Sequence, residues 1–143
     1  MIKVNFHFDN EVDDKLLKFA VIAARYKDKW VFSRHKERKT YEIPGGHRET
    51  NEHIDNTAAR ELQEETGAVE FKVSPICIYS VTSEDKTSYG KLYFADIKEL
   101  GELQKEMEIA EIILTDKLPD KLTYPAIQPF LFEKVRMKHD RIF

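Results

Sequence analysis

Glu61, Glu64 and Glu65 stand within five residues of one another, preceded by Arg60 and followed by Gly67. On a helix turning about 100° per residue, the three carboxylates fit within roughly 100° of one face. Like charges at these spacings each destabilise an isolated helix by roughly 0.2–0.5 kcal/mol. Gly67 is placed to end the helix, which puts Glu64 and Glu65 in the last turn, where the helix dipole disfavours anions. A divalent cation removes both objections. Hard oxygen donors, without cysteine and with one nearby histidine, favour Mg²⁺, with Mn²⁺ next, over zinc. ELQEE alone reads as an ordinary solvated acidic helix face, so the wider spacing has to decide.

From Gly46 the chain runs Gly, five residues, Glu52, seven residues, Arg60, Glu61, Leu62, one residue, Glu64, Glu65, one residue, Gly67, Ala68. At average residue frequencies of ~7% such a match arises by chance with probability on the order of 10⁻⁷. The pattern resembles the signature of the Nudix hydrolases, with Ala68 smaller than the bulky aliphatic usual at its last position. YEIPGG before the box and ARELQEETG within it are similar to the MutT-type nucleoside triphosphate pyrophosphohydrolases. YFADI at 93–97 and EIAEIILTDKLP at 108–119 are more loosely similar to small bacterial enzymes of that type.

The resemblance implies an α/β (α+β) fold, an α/β/α sandwich with a mixed β-sheet between helices, in one domain over residues 1–143 with the box at 46–68. It implies Mg²⁺, or Mn²⁺, held by Glu61, Glu64 and Glu65, by the backbone carbonyl of Gly45, and by a carboxylate outside the box. Glu106, Glu108 and Glu111 are the candidates for that carboxylate, with Glu108 preferred. Arg60 is expected to pair with Glu52, while Gly46, Glu52 and Gly67 shape the box. Glu61 is favoured as the group that takes a proton from the attacking water, although family members differ in which glutamate does so. Glu64 and Arg60 complete the catalytic set. Arg34, following a strand, falls where MutT-type enzymes place a substrate-contacting arginine, and a guanidinium there can pair with a phosphate. Gln128 lies near where they keep a base-reading amide.

The implied activity is hydrolysis of a nucleoside diphosphate-linked substrate. A (d)NTP or oxidised (d)NTP such as 8-oxo-dGTP, giving NMP and pyrophosphate, is the leading expectation. A dinucleoside polyphosphate, an RNA 5′-triphosphate and a nucleotide sugar are alternatives, and so is a non-catalytic nucleotide-binding sensor.

The elements that must position these residues are legible from hydrophobic periodicity. Alternation over Ile2–Phe8 predicts a half-buried strand, and 19–26 and 30–33 predict a hairpin joined at Lys27-Asp28-Lys29. The basic run Arg34–Lys39 reads as a solvated loop apart from Arg34. A short strand is expected at Tyr41–Ile43 and a loop at Pro44-Gly45-Gly46. Asn51 is the expected N-cap of the box helix, with Ala58, Ala59 and Leu62 packing on the sheet. Strands are expected at 69–83, 89–97 and 109–114, with polar loops at 83–88 and 98–105. Ile127, Leu131 and Val135 mark one face of a final helix over Pro125–Lys138, with Pro129 tolerated in its first turn. His47 and His53 are expected on the surface, and Cys77 and Trp30 in the core.

Composition narrows the class. The 143 residues suffice for one domain with a substantial core. Lys and Arg total 23 against 26 Asp and Glu, a net charge of −3, which provides no general attraction to polymeric nucleic acid or anionic membrane. A small-molecule nucleotide is therefore the expected partner. One cysteine excludes an intrachain disulfide, and the opening residues lack the apolar core of a signal peptide. No apolar run reaches the ~20 residues of a membrane span. The expected compartment is the cytoplasm, and the sequence carries no signal of oligomeric state.

Overall fold

The computed structural model describes residues 1–104 and 107–142. Seven strands form one mixed sheet: β1 (Ile2–His7), β2 (Leu17–Tyr26), β3 (Lys29–His35), β4 (Gly45–His47), β5 (Ala68–Ser83), β6 (Lys86–Leu100) and β7 (Ile109–Thr115). Among the described residues the α-helices are α1 (Ile54–Thr66) and α2 (Gln128–Ile142). The strand order is β1-β5-β6-β2-β3-β7, with β4 added to β2. Strands β2 and β6 pair in parallel and the other pairs are antiparallel. This is the mixed sheet between helices that the resemblance implies.

Strand β2 is apolar almost throughout because both of its faces are covered. Ala20, Ile22 and Ala24 join Ile54, Ala58 and Leu62 of α1 in one core. Val21 and Ala23 point the other way and pack with Trp30, Phe32, Leu131, Phe132 and Val135 in the second. Two-residue turns at Lys27-Asp28 and Glu84-Asp85, all with positive φ, close the hairpins β2–β3 and β5–β6, as the right-handed twist of paired strands favours.

Several boundaries differ from expectation. The second hairpin strand continues past Ser33 to His35. Tyr41 and Glu42 make only isolated bridges, Glu42 with Ser33, while Gly45–His47 forms the strand, pairing with Phe19–Val21. Asn51 does not cap α1: it takes φ 65° in the preceding turn. The cap is His53, whose Nδ1 accepts from the Asp55 amide at 3.1 Å. Ile54 and Thr57, with Ala58 and Leu62, form the buried face of α1, and Ala59 is only half-buried. The polar loops shrink, since β5 and β6 run to Ser83 and from Lys86 to Leu100. Helix α2 begins at Gln128, after a turn in which the Ile127 and Gln128 amides donate to Tyr124 O. Pro129 does lie in its first turn, and Trp30 is buried.

Candidate active site

Helix α1 ends where the sequence says it should. Gly67 adopts φ 78°, and its amide donates to Gln63 O at 2.9 Å, a left-handed terminus that a side chain would strain. That end lies beside β3 and β4, and the box carboxylates separate there into two groups.

The first group is organised by Arg60. Its Nε donates to Glu52 Oε2 at 2.8 Å and its Nη2 to Glu52 Oε1 at 3.0 Å. Nη1 reaches Glu61 at 2.9 Å and Glu64 at 3.4 Å. A further ion pair joins Arg60 to Glu49 at 3.4 Å. This fork holds the Glu52 carboxyl down at about 2, and the acidic surroundings push the guanidinium further up. Thr57 Oγ1 also donates to Glu52, at 2.8 Å. The pairing of Arg60 with Glu52 is thus present, with Arg60 serving two box glutamates besides.

Glu65 belongs to the second group, inside the fold. Its Oε1 accepts from the Gly45 amide at 3.1 Å and lies 3.5 Å from Ser33 Oγ. Burial, opposed by the Gly45 amide and reinforced by Glu61 and Glu42, pushes the Glu65 carboxyl up to about 8. Glu61 is also raised, first by burial and then by Glu64. His35 Nε2 stands 2.8 Å from Glu42 Oε1 and 3.4 Å from Glu65 Oε2. One donor atom from each of these three residues lies within 4.8 Å of the others. Neither contact has hydrogen-bond geometry, so Nε2 is buried without a hydrogen bond, alone in this among the described residues. Two buried carboxylates and an unsatisfied ring nitrogen facing one point suit a divalent cation, which would occupy the place of a proton.

Both groups open on a cavity of ≈ 760 Å³. Its lining combines Glu61, Glu65, Gly45, Gly46, Glu42 and Arg38 with the apolar Phe19, Tyr79, Val81, Ile127 and Leu131. Gly46 is required where it stands. A Cβ there would lie 2.5–2.6 Å from both Glu61 carboxylate oxygens, which Arg60 holds in place. Gly46→Ala is expected to displace Glu61, lowering turnover about 10²-fold, the cost of a misplacement near 1 Å. The melting temperature should change by no more than a few degrees; a loss of stability matching the loss of rate would contradict this account.

The remaining expected site residues are placed as follows. Gly45 meets the cluster through its N–H, whereas the resemblance implies its carbonyl. Glu64 is about one-third exposed at the rim, turned to Arg60, and is not among the residues lining the cavity. Glu108 lines it and faces His35 Nδ1 at 3.7 Å. Glu111 pairs with Arg34 at 3.2 Å and accepts from Tyr41 OH at 2.9 Å, while Glu106 lies outside the described residues. Arg34 shares the β3 face of Trp30 and Phe32, and its guanidinium also donates to Arg38 O at 2.9 Å. The cation on the cavity wall is Arg38, 3.2 Å from Glu42 and stacked over Tyr124. Gln128 lines the cavity with its Oε1 committed to the Ile43 amide at 2.9 Å, leaving its NH₂ donors to offer a ligand. His47 lines the cavity too, and Cys77 is half-buried against the second core.

His35, Glu42 and Arg38 are the residues that sequence reasoning missed. For His35 the signal was available: it follows Val31 and Ser33 at period two and so shares their face.

The family model of the NUDIX domain matches residues 16–131. This chain belongs to the Nudix hydrolase family. A Bacillus subtilis protein named "Putative 8-oxo-dGTP diphosphatase YtkD" is 32% identical over 120 residues, covering 84% of this Nudix hydrolase and 75% of the relative. The crystal structure of the Bacillus subtilis pyrophosphohydrolase BsRppH, a point mutant, superposes with a TM-score of 0.77 at 26% identity, covering 94% of this chain and 90% of that one. The NUDIX domain of Shewanella oneidensis NrtR, solved with ADP ribose, shares the fold with a TM-score of 0.62 at 15% identity, covering 92% and 93%. The Nudix hydrolase described here is thus an enzyme of the pyrophosphohydrolase class. No described helix is long and apolar enough to cross a membrane.

Proposed function

We propose that this Nudix hydrolase cleaves a (d)NTP, oxidised purine nucleotides such as 8-oxo-dGTP included, to NMP and pyrophosphate with Mg²⁺ or Mn²⁺. The observation that carries this is the mixed lining of the cavity, carboxylates together with apolar residues. The cavity volume is within the ~300–1,000 Å³ range of small-molecule sites. The carboxylates suit cation-bridged phosphates, and the apolar residues, with Gln128 as a donor, suit a base. The name of the Bacillus subtilis relative points to the same substrate class.

A divalent cation bound here supplies charge neutralisation of the phosphates and a more acidic water. Glu61, Glu64 and Glu65 would hold it, with Gly45 fixing Glu65 through its N–H and Glu108 standing behind His35. Glu61, its carboxyl raised by burial and Glu64, takes the proton of the attacking water. Arg60 keeps Glu61 and Glu64 aimed. Arg38, and Arg34 if its pair with Glu111 opens, provide the cations that meet phosphate oxygens. A cytoplasmic, nucleotide-processing enzyme fits the single cysteine and the lack of net positive charge.

The test is a screen for phosphate and pyrophosphate release with Mg²⁺ or Mn²⁺ over dNTPs, 8-oxo-dGTP, dinucleoside polyphosphates, ADP-ribose, UDP-sugars and 5′-triphosphorylated RNA. Pyrophosphate release from a free nucleoside triphosphate, at higher kcat/KM than from the other classes, is expected. Preference for any other class overturns the substrate assignment. Nucleotide binding without turnover would make the protein a sensor.

A further inference from the structure

We propose that His35 Nε2 is itself a cation ligand, making the innermost site a mixed nitrogen and oxygen site that prefers a first-row transition ion such as Mn²⁺ to Mg²⁺. This rests on the reading that the site holds a divalent cation at all.

The spacing of the donors supports direct ligation. Ligands ~2.1 Å from one metal ion, the bond length typical of imidazole nitrogen and carboxylate oxygen, stand about 3.0–3.4 Å from each other. Nε2 lies 3.4 Å from a Glu65 oxygen, inside that range, and 2.8 Å from a Glu42 oxygen, slightly shorter than it. Yet it makes no hydrogen bond to either, because the carboxylates are out of line with the ring nitrogen. An imidazolium serving as a simple salt-bridge partner would be expected to turn its N–H onto one of them. Buried polar atoms are almost always satisfied, and a cation at the point the three donors face would satisfy this one.

The backbone around His35 holds the ring at this point. His35 ends β3 on the face of Ser33, and β3 is held to Glu42 by paired backbone bonds, Ser33 N to Glu42 O at 3.0 Å and the reverse at 2.9 Å. The Lys36 amide donates to Glu108 O at 2.8 Å, which brings the Glu108 carboxylate to within 3.7 Å of Nδ1. A carboxylate hydrogen-bonded to the second ring nitrogen orients ligating histidines in metal sites, and Glu108, largely exposed and 3.7 Å away, stands where a small approach would make that bond. Glu108 then acts on the cation through His35, as a positioning residue.

Selectivity follows from the donor set. Mg²⁺ takes oxygen donors and water, whereas imidazole nitrogen suits the later first-row ions, and Mn²⁺, although it also takes oxygen donors, accepts nitrogen more readily than Mg²⁺. An all-carboxylate site would lack this bias.

The experiment is pulsed electron paramagnetic resonance of the full chain loaded with one equivalent of Mn²⁺, without nucleotide. Imidazole ¹⁴N modulation of the Mn²⁺ echo is expected in the wild type and in His47→Gln, and absent in His35→Gln. Titration should show Mn²⁺ affinity reduced by roughly 10–100-fold in His35→Gln, as for lost metal-site support elsewhere, with Mg²⁺ affinity nearly unchanged. Bound Mn²⁺ without ¹⁴N modulation in the wild type overturns the proposal and leaves the carboxylate site standing. Modulation that survives in His35→Gln overturns it equally. Failure to bind any Mn²⁺ would instead overturn the underlying reading of a divalent-cation site. The wild-type spectrum decides the matter even if a variant fails to fold.

Discussion

Glu65→Gln is expected to lower cation-supported hydrolysis by at least ~10²-fold, the scale for removing one group that stabilises transition-state charge, while making the cation-free protein more stable at pH 8. Glu65 is buried and its carboxyl is raised to about 8 in the fold, against an ordinary value near 4.5. Between those values the folded state holds a proton that the unfolded chain has released. Stability of the cation-free wild type therefore falls as pH rises from about 4.5 to about 8, by an amount on the order of a few kcal/mol. Glutamine can still accept from the Gly45 amide but carries no charge to desolvate, so its melting temperature should depend clearly less on pH across that window. A cation replaces the proton, so its affinity for the wild type should rise with pH until about 8. Thermal melts with and without Mg²⁺ or Mn²⁺ at pH 6 and pH 8, alongside turnover, provide the test. Wild-type turnover in Glu65→Gln would remove Glu65 from the cation site. A pH-independent melt of the cation-free wild type would refute the buried proton. Glu64→Gln, at a half-buried position outside the cavity lining, is the comparison and should cost less activity than Glu65→Gln.

Arg60→Ala should cost the most stability of any substitution in the box. The guanidinium serves Glu49, Glu52, Glu61 and Glu64 together and also donates to His47 O at 3.0 Å. Removing it leaves partly buried carboxylates facing one another, a loss of roughly 3–5 kcal/mol by comparison with other broken buried pairs. For a chain of this size that is a fall of about 10 °C or more. Divalent cations should restore part of it, because they answer the same carboxylates. Arg60→Lys should restore little, since an ammonium cannot make the two-pronged contact with Glu52. A melt of Arg60→Ala within two or three degrees of the wild type, read without cation at pH 7, would show that the network contributes little.

Much of this protein was decided locally and was therefore written in the sequence. The box helix with its Gly67 terminus and the two-faced apolar run of β2 depend on helix and strand periods, while the pairing of Arg60 with Glu52 was implied by the family resemblance of the box. Those periods are properties of short segments. The caps and ends shifted by a few residues, as at Asn51 and Pro125, because His53 and the Tyr124 carbonyl offered partners that propensity alone does not rank. Tertiary structure alone decided how the acidic residues divide. Three glutamates on one helix face look equivalent in sequence, yet the approach of β3 and β4 buries Glu65 against Gly45 and leaves Glu64 at the rim. His35 and Glu42 reach Glu65 only because the extended β3 turns its end toward α1 and Glu42 bridges back to Ser33. The desolvation that raises Glu65, and the unsatisfied nitrogen beside it, arise from packing α1 against segments 20 or more residues earlier, which no local spacing encodes.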